Sequence, residues 1–391
     1  MQPIDSSTIE LFEALNRQVL RITGIDRNGK IIQITEADVM SGGFQIDRCI
    51  FTGSKLEVGT AIASEMTLKL NNFDGKFNNT VFEGSELFVE IGIADWSLAE
   101  PVVTWLPCGY FTATVQPRTQ TIITITALDR MMRFDQYIPA ETATLIDAGK
   151  RDIVDESGNL IQVGKPLTLP CTIAELVGQI CEQCQVPLAQ SISSLTNADV
   201  QIDALPVLDQ AYTFRTVLQW CVGLMGRNAY INHEGNMVID WPSNRAGAVY
   251  ISSITNRYKG VVYENPITIT GVKYKDPNGG VGDKIYWGNE LGCVLDFTGN
   301  KLLSNETAAD VSKATTILML IYTEIGGFTY IPFTATVNPA PYLWPMDKMS
   351  YVDSALKLTT TMLTNVHFTI NGCTELQAVG ETEQSALYSA L

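Results

Sequence analysis

Positive charge is what this chain has least of. Its 391 residues carry 26 lysines and arginines against 42 aspartates and glutamates, a formal net charge of −16. That balance argues against a protein that grips nucleic acid or anionic lipid through a basic surface. Charge of either sign is scarce, at 17% of residues, where ordinary soluble chains have about 25%. The acidic excess is spread evenly over residues 1–133, 134–260 and 261–391. There is thus neither an acidic tail nor a charge-segregated domain. Histidine is limited to His233 and His367. No apolar run approaches the roughly 18 residues of a membrane-spanning helix; the longest is Ile317 to Tyr322. The opening Met1-Gln-Pro-Ile-Asp-Ser-Ser lacks the basic and apolar regions of a secretion signal. Without such a signal, the eight cysteines read as free thiols made in a reducing compartment.

What is present is a folded, multi-domain chain. Apolar residues make up 46%, which excludes disorder for most of the length. The size implies two to four domains. Low charge density suits a surface largely hidden in permanent contacts.

The hydrophobic period divides the chain. Residues 6–15 read as a short helix with Ser6 or Ser7 as cap and Ile9, Leu11, Phe12 and Leu15 as its apolar side. From Val19 the period becomes two. Val19 to Ile25 and Ile31 to Ile34 flank a hairpin turn tipped by Asn28-Gly29. Met66, Leu68 and Leu70 alternate with polar neighbours, as do Leu87, Val89, Ile91 and Ile93. Asp74-Gly75 centres a turn between these runs, and Phe111 to Val115 pairs with Ile122 to Leu128 around Gln116–Gln120. Such spacing without a long helix predicts an antiparallel barrel or sandwich over 16–133.

Residues 134–260 read as a small α+β unit. Thr172-Ile-Ala-Glu175 is a capping box, followed by Ile173, Leu176, Val177, Ile180, Cys181 and Cys184 on one helical face. Thr213 caps a second helix, which Gly226 ends, and a hairpin follows around His233-Glu-Gly235. Residues 139–170 and 185–212 read as long loops or arms. Residues 261–380 return to strands: 267–275, 284–287, 293–297, 328–337 and 358–376. One helix interrupts them, from about Glu306 to Tyr322 with Asn305 as its cap. The tail, 381–391, is polar and loose. The expected fold is mainly β, with an α+β insertion between two β blocks.

Chemistry is hard to find. Cys181-Glu-Gln-Cys184 has the spacing of a redox pair or half a zinc site. Zinc needs four ligands, there is no second pair, and both sulfurs fall on the apolar helix face, where cysteine packs as a small hydrophobe. Neither histidine has a nucleophile motif or a metal-binding partner in sequence. A glycosidase needs only two carboxylates, but Asp129 and Asp353 read more simply as strand-end or turn residues. Ser41-Gly42-Gly43 reads as a flexible turn rather than a phosphate loop, and Asp74-Gly75 lacks the acidic ladder of a calcium site. The scattered aromatics, without basic interleaving, read as core or interface.

Several segments together resemble the central hub proteins of phage baseplates and tail tips, including the hub region of tail-associated lysins and the hubs of phage-derived bacteriocins. They are Glu57 to Leu70, Asn71-Asn-Phe-Asp-Gly-Lys-Phe77, Gly84 to Ile91, Cys108-Gly-Tyr-Phe111 with Ile123 to Arg130, Thr172 to Val186, Thr213 to Trp220, Arg227 to Ile239 and Gly327 to Val337. The resemblance spans about residues 16–380. One departure is clear: where the family places Gly-Asp before a strand, Met346 precedes Asp347.

The resemblance implies two similar β-barrels, at 16–133 and 261–380, flanking the α+β domain at 134–260. It further implies a homotrimeric ring between a sixfold tail tube or distal tail protein and a threefold spike or fibre. Tape measure protein and DNA would pass through its lumen without tight binding. The expected setting is the tail tip of a virion assembled in the bacterial cytoplasm, with no integral membrane contact. It implies no catalytic, cofactor-binding or metal-binding residue. A tail-tip cell-wall hydrolase and a host-surface carbohydrate-binding module are the competing expectations. The first would need convergent carboxylates in a cleft, the second exposed aromatics in a shallow groove.

Overall fold

A computed structural model describes residues 2–380 except 52, 54, 97–100, 115–118, 120, 139–166, 207–210, 243–249 and 276–283. It opens with helix α1 (Ser6–Glu13). Its cap is Asp5 rather than Ser6 or Ser7, because the Asp5 carboxylate accepts from the Thr8 N–H at 2.7 Å and from the hydroxyls of Ser7 and Thr8. Phe12 is fully buried, whereas Leu15 lies past the helix end and is 56% exposed.

Seven strands follow: β1 (Gln18–Ile25), β2 (Ile31–Thr35), β3 (Val39–Cys49), β4 (Glu65–Asn71), β5 (Glu86–Asp95), β6 (Val102–Ala113) and β7 (Ile122–Asp129). Their inward residues alternate as the sequence requires. Leu20 and Ile22, Met66, Leu68 and Leu70, Leu87 to Ile93 and Ile123 to Ala127 supply buried side chains of one contiguous core. Each such side chain contributes about 1.5–3 kcal/mol on burial. Ser41-Gly42-Gly43 is not a turn between elements. It lies inside β3, where the register to β4 slips between Val39 and Phe44 and Gly42 takes φ +64. A bulge of this kind bends a strand and needs a residue without a Cβ at positive φ.

The middle of the chain is built as its caps dictate. Strand β8 (Cys171–Thr172) leads into α2 (Ile173–Gln183), with the Thr172–Glu175 capping box in place. Then come β9 (Gln201–Ile202), α3 (Phe214–Leu224), β10 (Asn228–Ile231) and β11 (Met237–Asp240). Thr213 caps α3, and Gly226 at φ +67 lets the chain leave it. Most of the 139–170 segment expected to be loop lies outside the described residues.

The last part contains β12 (Tyr250–Ser252), β13 (Arg257–Val262), β14 (Ile267–Tyr274), β15 (Ile285–Gly288), β16 (Cys293–Asp296), α4 (Ala308–Ile325), β17 (Thr329–Tyr330), β18 (Phe333–Val337), β19 (Lys348–Val352), β20 (Leu358–Met362), β21 (Asn365–Thr369) and β22 (Thr374–Ala378). Helix α4 starts two residues later than the sequence suggests. Thr307 and Asp310 form a capping box, and Asn305 is buried upstream of it.

Half of the described strands join one eleven-stranded sheet, in the order β13-β18-β22-β21-β3-β4-β7-β6-β5-β1-β2. Both β blocks therefore share a sheet, and the β3–β21 pair is the strand pairing that joins them. Smaller sheets are β12-β19-β20, β15-β14-β16 with β17 on β14, β10-β11 and β8-β9. The expectation of barrels meets open sheets. The long path ends at β2 and at β13 without closing, and the β3 bulge interrupts pairing near the place where β2 turns into β3. The mainly β class, with few helices and large antiparallel sheets, stands.

Candidate functional site

One face of the long sheet packs on the core and the other is open. On the open face, cross-strand register aligns a single row of polar side chains. Lys259 on β13 faces Thr336 on β18, then Glu375 on β22, His367 on β21, Asp47 on β3 and Glu65 on β4. Directly opposed residues lie close enough for their side chains to interact. A parallel row runs Val261, Thr334, Gln377, Asn365, Cys49. The two rows floor a shallow groove of about 760 Å3 that crosses the joint between the β blocks.

His367 is the central group. Its Nδ1 lies 2.5 Å from Asp47 Oδ1, and its Nε2 lies 3.3 Å from the Thr369 hydroxyl. The hydrogen bond to Asp47 raises its pKa, against the opposing effect of burial, and Glu375 adds to the rise. The arrangement is a charge-assisted clasp across β3 and β21. Asp47, His367 and the Thr369 hydroxyl stand in a carboxylate–imidazole–hydroxyl line on this face. His233 sits apart, with its ring 6.4 Å from that of Trp344 and its pKa lowered by burial.

The other candidates take structural roles. Asp129 is buried and burial pushes its carboxyl up to about 6. Its two oxygens accept the Ser64 N–H at 2.8 Å and the Met131 N–H at 2.9 Å, so it ends β7 and starts the turn after it. Asp353 likewise closes a turn, accepting from the N–H groups of Ala355 and Lys357. Cys181 and Cys184 are free thiols on the buried side of α2, each pushed by burial up to about 12. A thiol held that far up is inert at neutral pH.

Sequence reasoning overlooked Arg48. It is 2% exposed, and its guanidinium lies 4.0 Å over the Trp344 ring. It donates to the carbonyls of Pro341 at 3.1 Å, Leu343 at 3.2 Å and Cys108 at 3.4 Å. Arg48 thus fastens β3 to β6 and to the 338–347 segment, all of which is buried. The only sequence signal was an arginine at the alternate position between Ile46 and Ile50 in a strand. The same segment resolves the departure at Met346. Met346 itself adopts φ +68, the conformation a glycine would take most easily. Its N–H donates to Leu363 at 2.6 Å, and Asp347 Oδ2 accepts from the Trp344 N–H at 2.7 Å.

Neither a protein-family profile nor a curated protein sequence matches the chain. Solved structures do. The tail protein from Neisseria meningitidis MC58 superposes with a TM-score of 0.50 at 12% identity, over 92% of this chain and 96% of that one. The 43 kDa tail protein of prophage MuSo2 from Shewanella oneidensis gives 0.49 at 14% identity, over 93% and 98%. A chain of the half-lidded Francisella PdpA–VgrG complex gives 0.47 at 9% identity, over 96% of this chain and 61% of that one. The chain has the fold of the Neisseria tail protein.

Proposed function

We propose that the chain is a structural subunit of a phage tail tip or baseplate. Three copies form a ring that adapts a sixfold tail tube, or a distal tail protein, to a threefold spike or fibre. The lumen passes tape measure protein and DNA. The chain acts by binding other tail proteins, as a virion component assembled in the host cytoplasm, and it catalyses nothing.

The observation that supports this reading is the order of the strands in the sheet. In β3-β4-β7-β6 of the first block and in β13-β18-β22-β21 of the second, the first and second strands are followed by the fourth and then the third in chain order. The first three strands are joined by antiparallel pairings in each block. Two similar units per chain give six positions in a trimer, which matches sixfold to threefold symmetry. The open polar face supports a conduit wall. From β13 to β4 it offers Lys259 and Lys69 against Glu375, Asp47 and Glu65, a balance slightly to the acidic side. Such a wall gives DNA phosphates nothing to hold.

The test is mass by light scattering, on the free chain and on chain released intact from assembled tails. Trimers in either sample agree with the reading; monomer alone in both overturns it.

A further inference from the structure

The line through Asp47, His367 and Thr369 has a chemical capacity that a clasp does not use. A clasp across β3 and β21 is complete with the contact between Nδ1 and Asp47. The other ring nitrogen, Nε2, lies 3.3 Å from the Thr369 hydroxyl. Register fixes all three groups. Asp47 and His367 are directly opposed, and Thr369 lies two residues further along β21, on the same face. Groups held on paired strands keep their geometry better than groups on loops.

The arrangement sets the direction of proton transfer. Asp47 accepts the Nδ1–H, so the neutral imidazole presents its Nε2 lone pair to the hydroxyl. A hydroxyl against a base, with the base held by a carboxylate, is the relation that activates a weak nucleophile. The separation at the hydroxyl is slightly long, as such contacts are before a reactant binds. Gln45 faces Thr369 in the register. Its side-chain amide is a donor for the charge that develops on a carbonyl oxygen under attack. The groove of about 760 Å3 is lined by His367 at this point and continues along Asn365 and Gln377, which leaves room for an ester beside the hydroxyl.

We infer that Thr369 is an acyl acceptor: activated by His367 and with Asp47 positioning the imidazole, it takes the acyl group of a carboxylic ester bound in the groove. Thr369 Oγ1 attacks the ester carbonyl carbon, a new C–O bond forms, and the hydroxyl proton passes to His367 Nε2. The tetrahedral intermediate then collapses. The bond to the leaving oxygen breaks, and the proton on Nε2 goes to the departing alkoxide. The products are an O-acyl threonine and an alcohol. The chain is consumed in the step, so this is a modification of the chain rather than a turnover, and it is independent of the ring reading.

The charged groups facing the imidazole are Asp47 on β3 and Glu375 on β22, with Glu65 on β4 and Lys259 on β13 farther along the row. The thiols of Cys49 and Cys373 lie two residues from Asp47 and Glu375. The hydrogen bond to Asp47 is the main cause that raises the His367 pKa. Acylation therefore speeds up as pH rises through a value above that of an ordinary histidine.

The experiment treats the full chain with 4-nitrophenyl acetate, follows nitrophenolate release across pH, and locates the acetyl group by peptide mass mapping. The variants are Thr369→Val, which keeps the branched shape on an open strand face, His367→Gln and Asp47→Asn. The expected result is one acetyl group per chain, on Thr369. Thr369→Val should lose it, and His367→Gln should slow it by about a hundredfold. Asp47→Asn should move the midpoint of the rate–pH profile to lower pH, which a purely structural Asp47 would not do. An acetyl group on a cysteine, a lysine or His367 instead, or Thr369→Val reacting as the wild type does, overturns the inference. Should a variant fold poorly, the site of acetylation and the pH profile of the wild type decide.

Discussion

His367 and Asp47 face each other across the one strand pair that joins the two β blocks of the long sheet, with Nδ1 2.5 Å from Oδ1. The sign of the resulting pH dependence follows from the raised histidine pKa. The contribution is fully present below the unfolded value of about 6.5. It is lost as pH rises through the higher folded value. The imidazole is 32% and the carboxylate 54% exposed, so solvent screening keeps the effect under about 1 kcal/mol. NMR titration should give His367 a pKa above that of a model histidine. His367→Gln should abolish the loss of stability between neutral and mildly alkaline pH; an unchanged pH profile contradicts the clasp.

Arg48→Ala should destabilise the chain by about 3 kcal/mol or more. It strands buried carbonyls of Pro341, Leu343 and Cys108 and opens space beneath Trp344. Arg48→Lys restores a charge without the planar fork that reaches several carbonyls, so it should recover only part of the loss. Chemical denaturation measures both variants.

Two residues at positive φ should respond oppositely to glycine. Leu15 sits at φ +58 and is 56% exposed. Leu15→Gly relieves about 1–2 kcal/mol of backbone strain and gives back up to about 1 kcal/mol through the unfolded chain, for a neutral to slightly stabilising result. Met346 sits at φ +68 but is fully buried. Deleting its side chain costs about 2–5 kcal/mol, which exceeds the strain relieved, so Met346→Gly should lower the melting temperature.

The Cys181→Ala/Cys184→Ala double variant should lose about 1–3 kcal/mol through packing, because both thiols lie inside the core around α2. In the native protein these thiols should react with alkylating reagents only as the chain unfolds. Rapid native labelling, or stoichiometric zinc in the purified protein, contradicts the packing role.

Duplex DNA should bind weakly even at low salt. The polar face between β13 and β4 balances its few lysines with Asp47, Glu65 and Glu375. Filter binding that is tight and steeply salt-dependent would return a DNA-clamp reading to consideration.

Local chemistry made part of this molecule legible in the sequence. The capping box of α2, the Thr213 cap of α3, the apolar faces of both helices and the Asn28-Gly29 turn each act within a few residues, and all of them occur as expected. Where several capping residues crowd together, as at Asp5-Ser6-Ser7 and Asn305-Glu306-Thr307, only the three-dimensional reach of a side chain selects one. Strand β13 was invisible because both its faces are largely exposed, which erases the alternation that marks a strand. The row through His367 was invisible for another reason. Its central pair, His367 and Asp47, comes from strands 320 residues apart, and no local pattern encodes that register. The role of Arg48 depends on the same long-range pairing.

The central claim is a ring in which each copy supplies two similar β units around a lumen. Electron microscopy of the isolated tail-tip particle, with averaged end-on views, tests it most directly. The account predicts three copies around a central hole, with the β layer repeating about every sixty degrees as two units per copy require. A solid particle without a lumen, or a copy number not divisible by three, contradicts it.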